Sequence, residues 1–148
     1  MSIKSELTRE VTLHVRDTCL CLHLQRAARA IGRRFDEALR PLGLTNGQFS
    51  LLMSLNRPAP PTIGQVSTTL AMDRTTLTAS LKPMERRGLL EVAVDADDRR
   101  SRRLKLTGSG RRLLVEALPV WTATHAEIDR LVASGDPDGL RADLVSLS

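Results

Sequence analysis

Apolar residues recur at helical spacing along most of this chain, and the pattern changes once, near the middle. From Thr18 to Leu39 one stripe runs through Leu20, Leu24, Ala27, Ala28, Ile31, Phe35, Ala38 and Leu39, with Arg29, Arg33, Asp36, Glu37 and Arg40 mostly outside it. This spacing predicts a long first helix whose apolar face is broad enough to serve its own domain and a second subunit. Pro41 disfavours helix at Arg40, and Gly43 helps the turn. Residues 1 to 16 carry no firm pattern and read as an arm or a short helix.

Thr45 and Gln48 have the spacing of a capping box, in which each side chain bonds the other residue's backbone N–H. They open a helix through about Asn56, with Phe49, Leu52, Met53 and Leu55 available for packing. Pro58-Ala59-Pro60-Pro61 then makes a stiff connection. A second box, Thr62 and Gln65, opens a short helix with Ile63, Val66 and Leu70 inward. Asp73 follows as N-cap of another helix. Leu77, Leu81 and Met84 fall at i, i+4 and i+7 and hide one of its faces. The opposite face carries Thr75, Thr78, Ala79, Lys82 and Arg86, with Arg74 in the first turn. Gly88 suits a left-handed stop after Arg87. Pro83 removes a backbone donor inside this helix and crowds the Ala79 carbonyl, so a bend or change of pitch is expected there.

Here the period changes to two. Leu90, Val92 and Val94 alternate with Glu91 and Ala93, and on the return side Leu104 and Leu106 alternate with Arg103 and Lys105. Asp95-Ala96-Asp97-Asp98 supplies a turn-prone run between two strands of a hairpin. Thr107 then caps a long helix through Leu114, Ala117, Leu118, Trp121, Ile128, Leu131 and Val132. Pro119 lies inside it and should kink it or leave a carbonyl unpaired. Asp136-Pro137 begins a last short helix with Leu140, Leu144 and Leu147 inward.

Charge sharpens this picture. Net charge is +5 with a sequence pI near 10.2, which suits an anionic partner. Arg99, Arg100, Arg102, Arg103, Lys105, Arg111 and Arg112 follow one another with no acidic residue among them. Small hydroxyl side chains, an alanine and long cations on one helix face suit a major groove, where they offer donors and acceptors to base edges. An arginine-loaded hairpin tip suits a minor groove, where narrowing deepens the negative potential. The only aromatics are Phe35, Phe49 and Trp121, too few for the base-stacking platforms of single-strand binders, so duplex DNA is the expected ligand. Arg111 and Arg112 sit where the helix macrodipole disfavours cations; a nearby phosphate would reverse that sign, or the side chains swing into water.

The order helix, helix, Met84-Glu85-Arg86-Arg87-Gly88-Leu89, hairpin, Asp95-x-x-Asp98-Arg99-Arg100, Leu104-Lys105-Leu106-Thr107-x-x-Gly110 resembles the MarR family of winged helix-turn-helix transcriptional regulators. Upstream, Leu42-Gly43-Leu44-Thr45-x-x-Gln48-Phe49 is similar to the family's approach to its second helix. The resemblance spans roughly residues 20 to 125. It implies a mainly α fold with a small β-hairpin wing: a winged helix-turn-helix DNA-binding lobe over 45–107, and a helical dimerisation region from 1–44 and 108–148. It also implies a homodimer that reads a pseudo-palindromic operator, usually to repress. The effector, a small molecule or a redox signal, would act where the dimer helices meet the lobe.

The expected DNA-binding residues are then Arg74, Thr75, Thr76, Thr78, Lys82, Arg99, Arg100, Arg102 and Arg103. By resemblance Arg100 enters the minor groove, with Asp98 orienting it or the hairpin backbone. Arg99, Arg102 and Arg103 would contact phosphates, which add affinity without sequence information.

Cys19, Cys21 and His23 form a Cys-x-Cys-x-His string. On a helix Cys19 and His23 share a face while Cys21 points about 200° away, so a metal site is not expected. Two small buried apolar side chains are the simpler reading of the cysteines. The other is a redox site, since some MarR-type regulators sense oxidants through a cysteine in this region. A thiol- or metal-responsive sensor and a non-specific architectural DNA binder are the alternatives to the operator-binding regulator. No cofactor and no membrane partner are expected, and the cytoplasm is the expected compartment. No phosphate loop follows a strand, no His-Glu-x-x-His string occurs, and His14, His23 and His125 lack triad company, so an enzyme is not expected.

Overall fold

The structure is a computed structural model that describes residues 6–148; the first five residues of the expected 1–44 segment lie outside that range. Helices α1 (Arg9–Thr18) and α2 (Leu20–Leu39) lead, through a 3-10 turn at Arg40–Leu42, into α3 (Asn46–Ser54). Helices α4 (Ile63–Leu70) and α5 (Arg74–Arg86) precede strands β1 (Leu90–Val94) and β2 (Arg102–Leu106). Helices α6 (Gly108–Asp129) and α7 (Pro137–Ser146) close the chain.

Both capping boxes form. The Thr45 N–H donates to Gln48 Oε1 at 3.0 Å and the Gln48 N–H to Thr45 Oγ1 at 3.2 Å. The Thr62 and Gln65 pair repeats this at 2.9 and 3.2 Å. Each box satisfies two N–H groups that a helix start leaves without partners. Asp73 caps α5 by accepting the Thr76 N–H at 2.8 Å, and Thr107 caps α6 by accepting the Gly110 N–H at 3.0 Å. Helices α5 and α6 run through Pro83 and Pro119 without interruption, so neither proline ends its helix.

The helix expected from Thr18 to Leu39 is α2, and the short helix allowed within residues 1 to 16 is α1. Cys19 adopts ψ 107°, outside the helical region, and breaks the rod between α1 and α2. Helix α1, capped by Thr8, buries none of its residues within this chain, and Val11 and Val15 face outward.

One core joins the elements. Leu39 and Leu44 meet Phe49, Leu51, Leu52 and Leu55 of α3 and its end, Val66 of α4, and Leu77, Leu81 and Met84 of α5. Leu90, Leu104 and Leu106 bring in the hairpin, and Leu114 and Ala117 bring in α6. Truncating any of the fully buried leucines to alanine removes about 2–5 kcal/mol of stability. Trp121 extends the core, with its ring stacked 6.4 Å from Phe35, 6.2 Å from Phe49 and 4.6 Å from His125.

Several residues expected inward face out of the chain. Leu20, Leu118 and Leu131 are exposed, as are Leu140, Leu144 and Leu147 of α7 and its end. Helical periodicity identifies an apolar face but not the body that covers it. Val94 is also exposed, because the hairpin projects beyond the core at that end.

Candidate nucleic-acid interface

Helix α5 lies on the core through Leu77, Leu81 and Met84, so Arg74, Thr75, Thr76, Thr78, Ala79, Lys82 and Arg86 are all exposed. The turn before it is tight. Ala71 sits at φ 52°, ψ 41°, a left-handed conformation that a side chain disfavours. The Ser67 hydroxyl secures this turn by donating to the Met72 carbonyl. Two of the threonine hydroxyls are spent locally as donors: Thr76 to Asp73 Oδ2 at 2.7 Å and Thr78 to the Arg74 carbonyl at 2.7 Å. Their oxygens keep acceptor capacity toward the outside. The Thr76 backbone N–H, then its hydroxyl, hold the Asp73 carboxyl below the usual carboxylate range.

The hairpin pairs Leu90 with Leu106 and Val94 with Arg102 in antiparallel register. It is widened by the linker: Leu104 N–H donates to the Pro61 carbonyl at 2.9 Å, and Thr62 bridges Arg103. At the tip, the Arg100 N–H donates to Asp98 Oδ1 at 3.0 Å, so Asp98 shapes the turn backbone from which Arg100 projects. Arg99 and Arg100 are exposed. Arg102 is exposed and folds back on the tip, donating from Nη1 to the Arg99 and Ser101 carbonyls.

Arg103, expected as a phosphate contact, has two partners within the fold. Its Nη1 donates to the Pro60 carbonyl at 2.7 Å, and its Nε lies 3.2 Å from Asp95 Oδ1. The strand alternation that puts Leu104 inward sends Arg103 to the other face, where the linker crosses the hairpin. Asp95 is the one buried charged residue among those described, and the Arg103 guanidinium, with the Asp97 N–H, holds its carboxyl below the usual range.

Two ties that periodicity does not reveal hold the reading head together. Arg87 Nη1 donates to the Gly43 carbonyl at 2.7 Å, linking the end of α5 to the approach to α3. At the other side the Thr107 hydroxyl donates to the Gly88 carbonyl at 2.6 Å. A Cβ on Gly110 would fall on the Leu89 carbonyl oxygen, so a glycine is required where α6 crosses the root of the hairpin.

Arg111 donates to Asn56 Oδ1 at 3.1 Å and Arg112 to Ser109 Oγ at 3.0 Å, so both have partners within the fold. Cys19, Cys21 and His23 do not converge. The Cys19 sulfur accepts the Leu22 N–H, the His23 ring bonds the Cys19 carbonyl, and Cys21 is exposed beside Gln25. Among the described residues no group of three His, Cys, Asp or Glu side chains could hold a metal ion. No described helix is long and apolar enough to cross a membrane.

This geometry recurs in known proteins. The MarR family model matches residues 42–101, from the turn before α3 to the far side of the hairpin tip. The transcriptional activatory protein BadR of Rhodopseudomonas palustris is 33% identical over 113 residues, covering 74% of this chain and 65% of BadR. The chain thus spans less than two thirds of that relative's length. The crystal structure of the M. tuberculosis transcriptional regulator MosR in complex with DNA superposes with a TM-score of 0.80 at 40% identity, covering 87% of this chain and 92% of MosR. The transcriptional repressor CouR bound to a 23-mer DNA duplex gives a TM-score of 0.79 at 29% identity, covering 97% of this chain and 99% of CouR. Helix-turn-helix, hairpin and flanking helices therefore agree in sequence and in shape, and the chain belongs to the MarR family of winged helix-turn-helix transcriptional regulators.

Proposed function

We propose that the chain acts as a homodimer on a pseudo-palindromic duplex operator, with residues 45–107 as the DNA-reading lobe and 1–44 and 108–148 as the dimerisation region. The observation that carries this reading is the pairing of an exposed Thr-, Arg- and Lys-bearing face on α5 with a cationic hairpin tip on the same core. Helix α5 enters a major groove with Arg74, Thr75, Thr76, Thr78 and Lys82, and Arg100 reaches into the adjoining minor groove from a tip shaped by Asp98. Arg99 and Arg102 contact phosphates, while Arg103 acts from within by holding the hairpin to the linker. Two such heads on a twofold axis read half-sites about one helical turn apart. The exposed leucines of α7 and its end, with Val11 and Val15 of α1, supply apolar surface for a second copy.

Regulators of this family act by binding, not by catalysis. The sign we assign is repression, relieved in the cytoplasm by an effector that favours a different spacing of the two heads. CouR is a repressor and BadR an activatory protein, and a transcription assay separates the two signs. We assign such an effector to the cleft between Met53 of α3, Leu106 of β2 and Leu114, Val115 and Leu118 of α6. Selection of bound fragments from genomic DNA by the purified protein, followed by transcription from the recovered promoter with and without protein, checks both parts. Recovery of a two-half-site sequence whose transcription falls with added protein is the expected result. Binding to all duplexes alike would leave an architectural DNA binder instead.

A second reading is favoured by one observation: Cys19 occupies the break between α1 and α2, and Cys21 is exposed in the first turn after it. Oxidation of both thiols by a peroxide would join the sulfurs, pass two electrons and two protons to the peroxide, and require the start of α2 to unwind. Loss of operator affinity on peroxide treatment, abolished in Cys19→Ser and Cys21→Ser, is the result that would establish this sensor.

A further inference from the structure

Between the two DNA-facing elements lies a concavity that joins one expected contact residue, Arg74, to the linker residue Arg57. It is lined by Arg57 from the linker, by Thr62, Gly64, Gln65, Thr68 and Thr69 of α4 and its cap, and by Arg74 at the start of α5. Its position is set by two contacts. Thr62 bridges Arg103 of β2, which puts the start of α4 beside the hairpin. The Arg74 guanidinium lies over Gly64, where a Cβ would come within 2.8 Å of Nη2. The concavity therefore sits between the loop end of β2 and the start of α5.

Its chemistry is one-sided. Arg57 donates from Nε to the Ser54 carbonyl at 3.1 Å and from Nη2 to Thr69 Oγ1 at 3.0 Å, which uses two of the five N–H donors of a guanidinium. Gln65 Oε1 accepts the Thr62 N–H, leaving the side-chain NH2 as a donor. Among the described residues no carboxylate forms an ion pair with Arg57 or Arg74. The one acidic residue adjacent in sequence, Asp73, turns both oxygens to Thr76. Two like charges thus share one hollow with surplus donors and no resident anion. A doubly accepting anion seated there would take donors from both side chains.

We propose that Arg57 and Arg74 form a clamp for one DNA backbone phosphate per protomer, seated between the recognition helix and the wing. The clamp rests on the DNA-binding reading above and adds Arg57, with Thr69 holding it, to the contact surface. A contact to phosphate carries no sequence information. Its signature is therefore a loss of affinity that is equal for all sequences and a shallower dependence on salt.

The test uses full-length protein, a fluorescein-labelled duplex recovered by selection and a labelled duplex of random sequence, titrated from low to moderate salt. In Arg57→Gln, with its melting curve recorded alongside, affinity for both duplexes should fall by a similar factor, about tenfold. The slope of log K against log salt should shrink by about two per dimer, one for each lost phosphate contact. Arg57→Lys keeps the charge and should restore most of the slope, although a lysine cannot reproduce both bonds that Arg57 makes to the fold. If Arg57→Gln binds with an unchanged slope, or if Arg57→Lys matches Arg57→Gln, the residue only braces α3 and α4 and the clamp is overturned. If the wild-type protein binds neither duplex, the DNA-binding reading falls and the clamp with it.

Discussion

Arg103 Nε stands 3.2 Å from Asp95 Oδ1 across the base of the hairpin loop, while the same guanidinium donates to the Pro60 carbonyl. This pair divides the cationic wing into two jobs. Arg103 holds the hairpin against the linker, and Arg99, Arg100 and Arg102 remain on the exposed tip.

Substitutions at Arg100 and Arg103 should therefore separate. Arg100→Ala is expected to weaken operator binding by about 1–3 kcal/mol with an unchanged melting temperature. Arg103→Ala should lower the melting temperature and weaken binding only as the hairpin loosens. Calorimetry and fluorescence anisotropy on the two variants would distinguish these roles, and equal melting temperatures would remove the structural role of Arg103.

Gly110 lies where α6 touches the root of β1. Gly110→Ala places a methyl on the Leu89 carbonyl, and the helix must shift away from the reading head. The expected loss is about 1–3 kcal/mol of stability, read by chemical denaturation. A variant as stable as the parent would show that the crossing is looser than its geometry.

Ala71 offers the opposite opportunity. Its left-handed backbone costs a residue with a side chain about 1–2 kcal/mol, partly offset by the greater unfolded-state freedom of glycine. Ala71→Gly should gain about 0.5–1 kcal/mol without altering α5, and a thermal melt reads the sign. A lower melting temperature would mean that the Ala71 methyl packs more favourably than the turn suggests.

Three carboxylates set the acid limit of the fold. Asp36 is held below its ordinary range first by the Asn46 N–H and then by the Asn46 side chain, Asp73 by Thr76, and Asp95 by Arg103. Because each folded-state pKa is depressed, the stabilisation is fully present above the unfolded carboxylate range, near about 4, and disappears as pH falls through the folded values. Melting temperature should hold from neutrality to about pH 5 and fall below about pH 4. Asp73→Asn, which keeps a capping oxygen, should make that acid limb shallower. An unchanged limb would take Asp73 out of the set.

Much of this fold is local and was readable along the chain. The Thr45 and Thr62 boxes, the Asp73 and Thr107 caps and the alternation from Leu90 to Leu106 depend on residues within a few positions of one another. Short-range hydrogen bonds and side-chain period are properties of the chain itself. The α5 face was legible for the same reason, since burying Leu77, Leu81 and Met84 dictates which residues point away. The string from Met84 to Gly110 carried the family resemblance because a left-handed stop, a hairpin and a glycine crossing each demand particular residue types.

Other features needed three dimensions. Arg103 reaches a carbonyl 43 positions earlier and Arg87 one 44 positions earlier, and no periodicity encodes such pairings. Helix α1, ahead of the Cys19 break, buries nothing within the chain, so periodicity reads that stretch as an arm or a short helix. The outward leucines of α7 have the same spacing as buried ones, since amphipathicity specifies a face and not its cover. Arg57 sits in an irregular linker, and its bond to Thr69 of α4 places it in the hollow that Arg74 also lines. Local order follows from neighbours in the chain, whereas the partners of a long charged side chain are chosen by whatever the packed core brings within its reach.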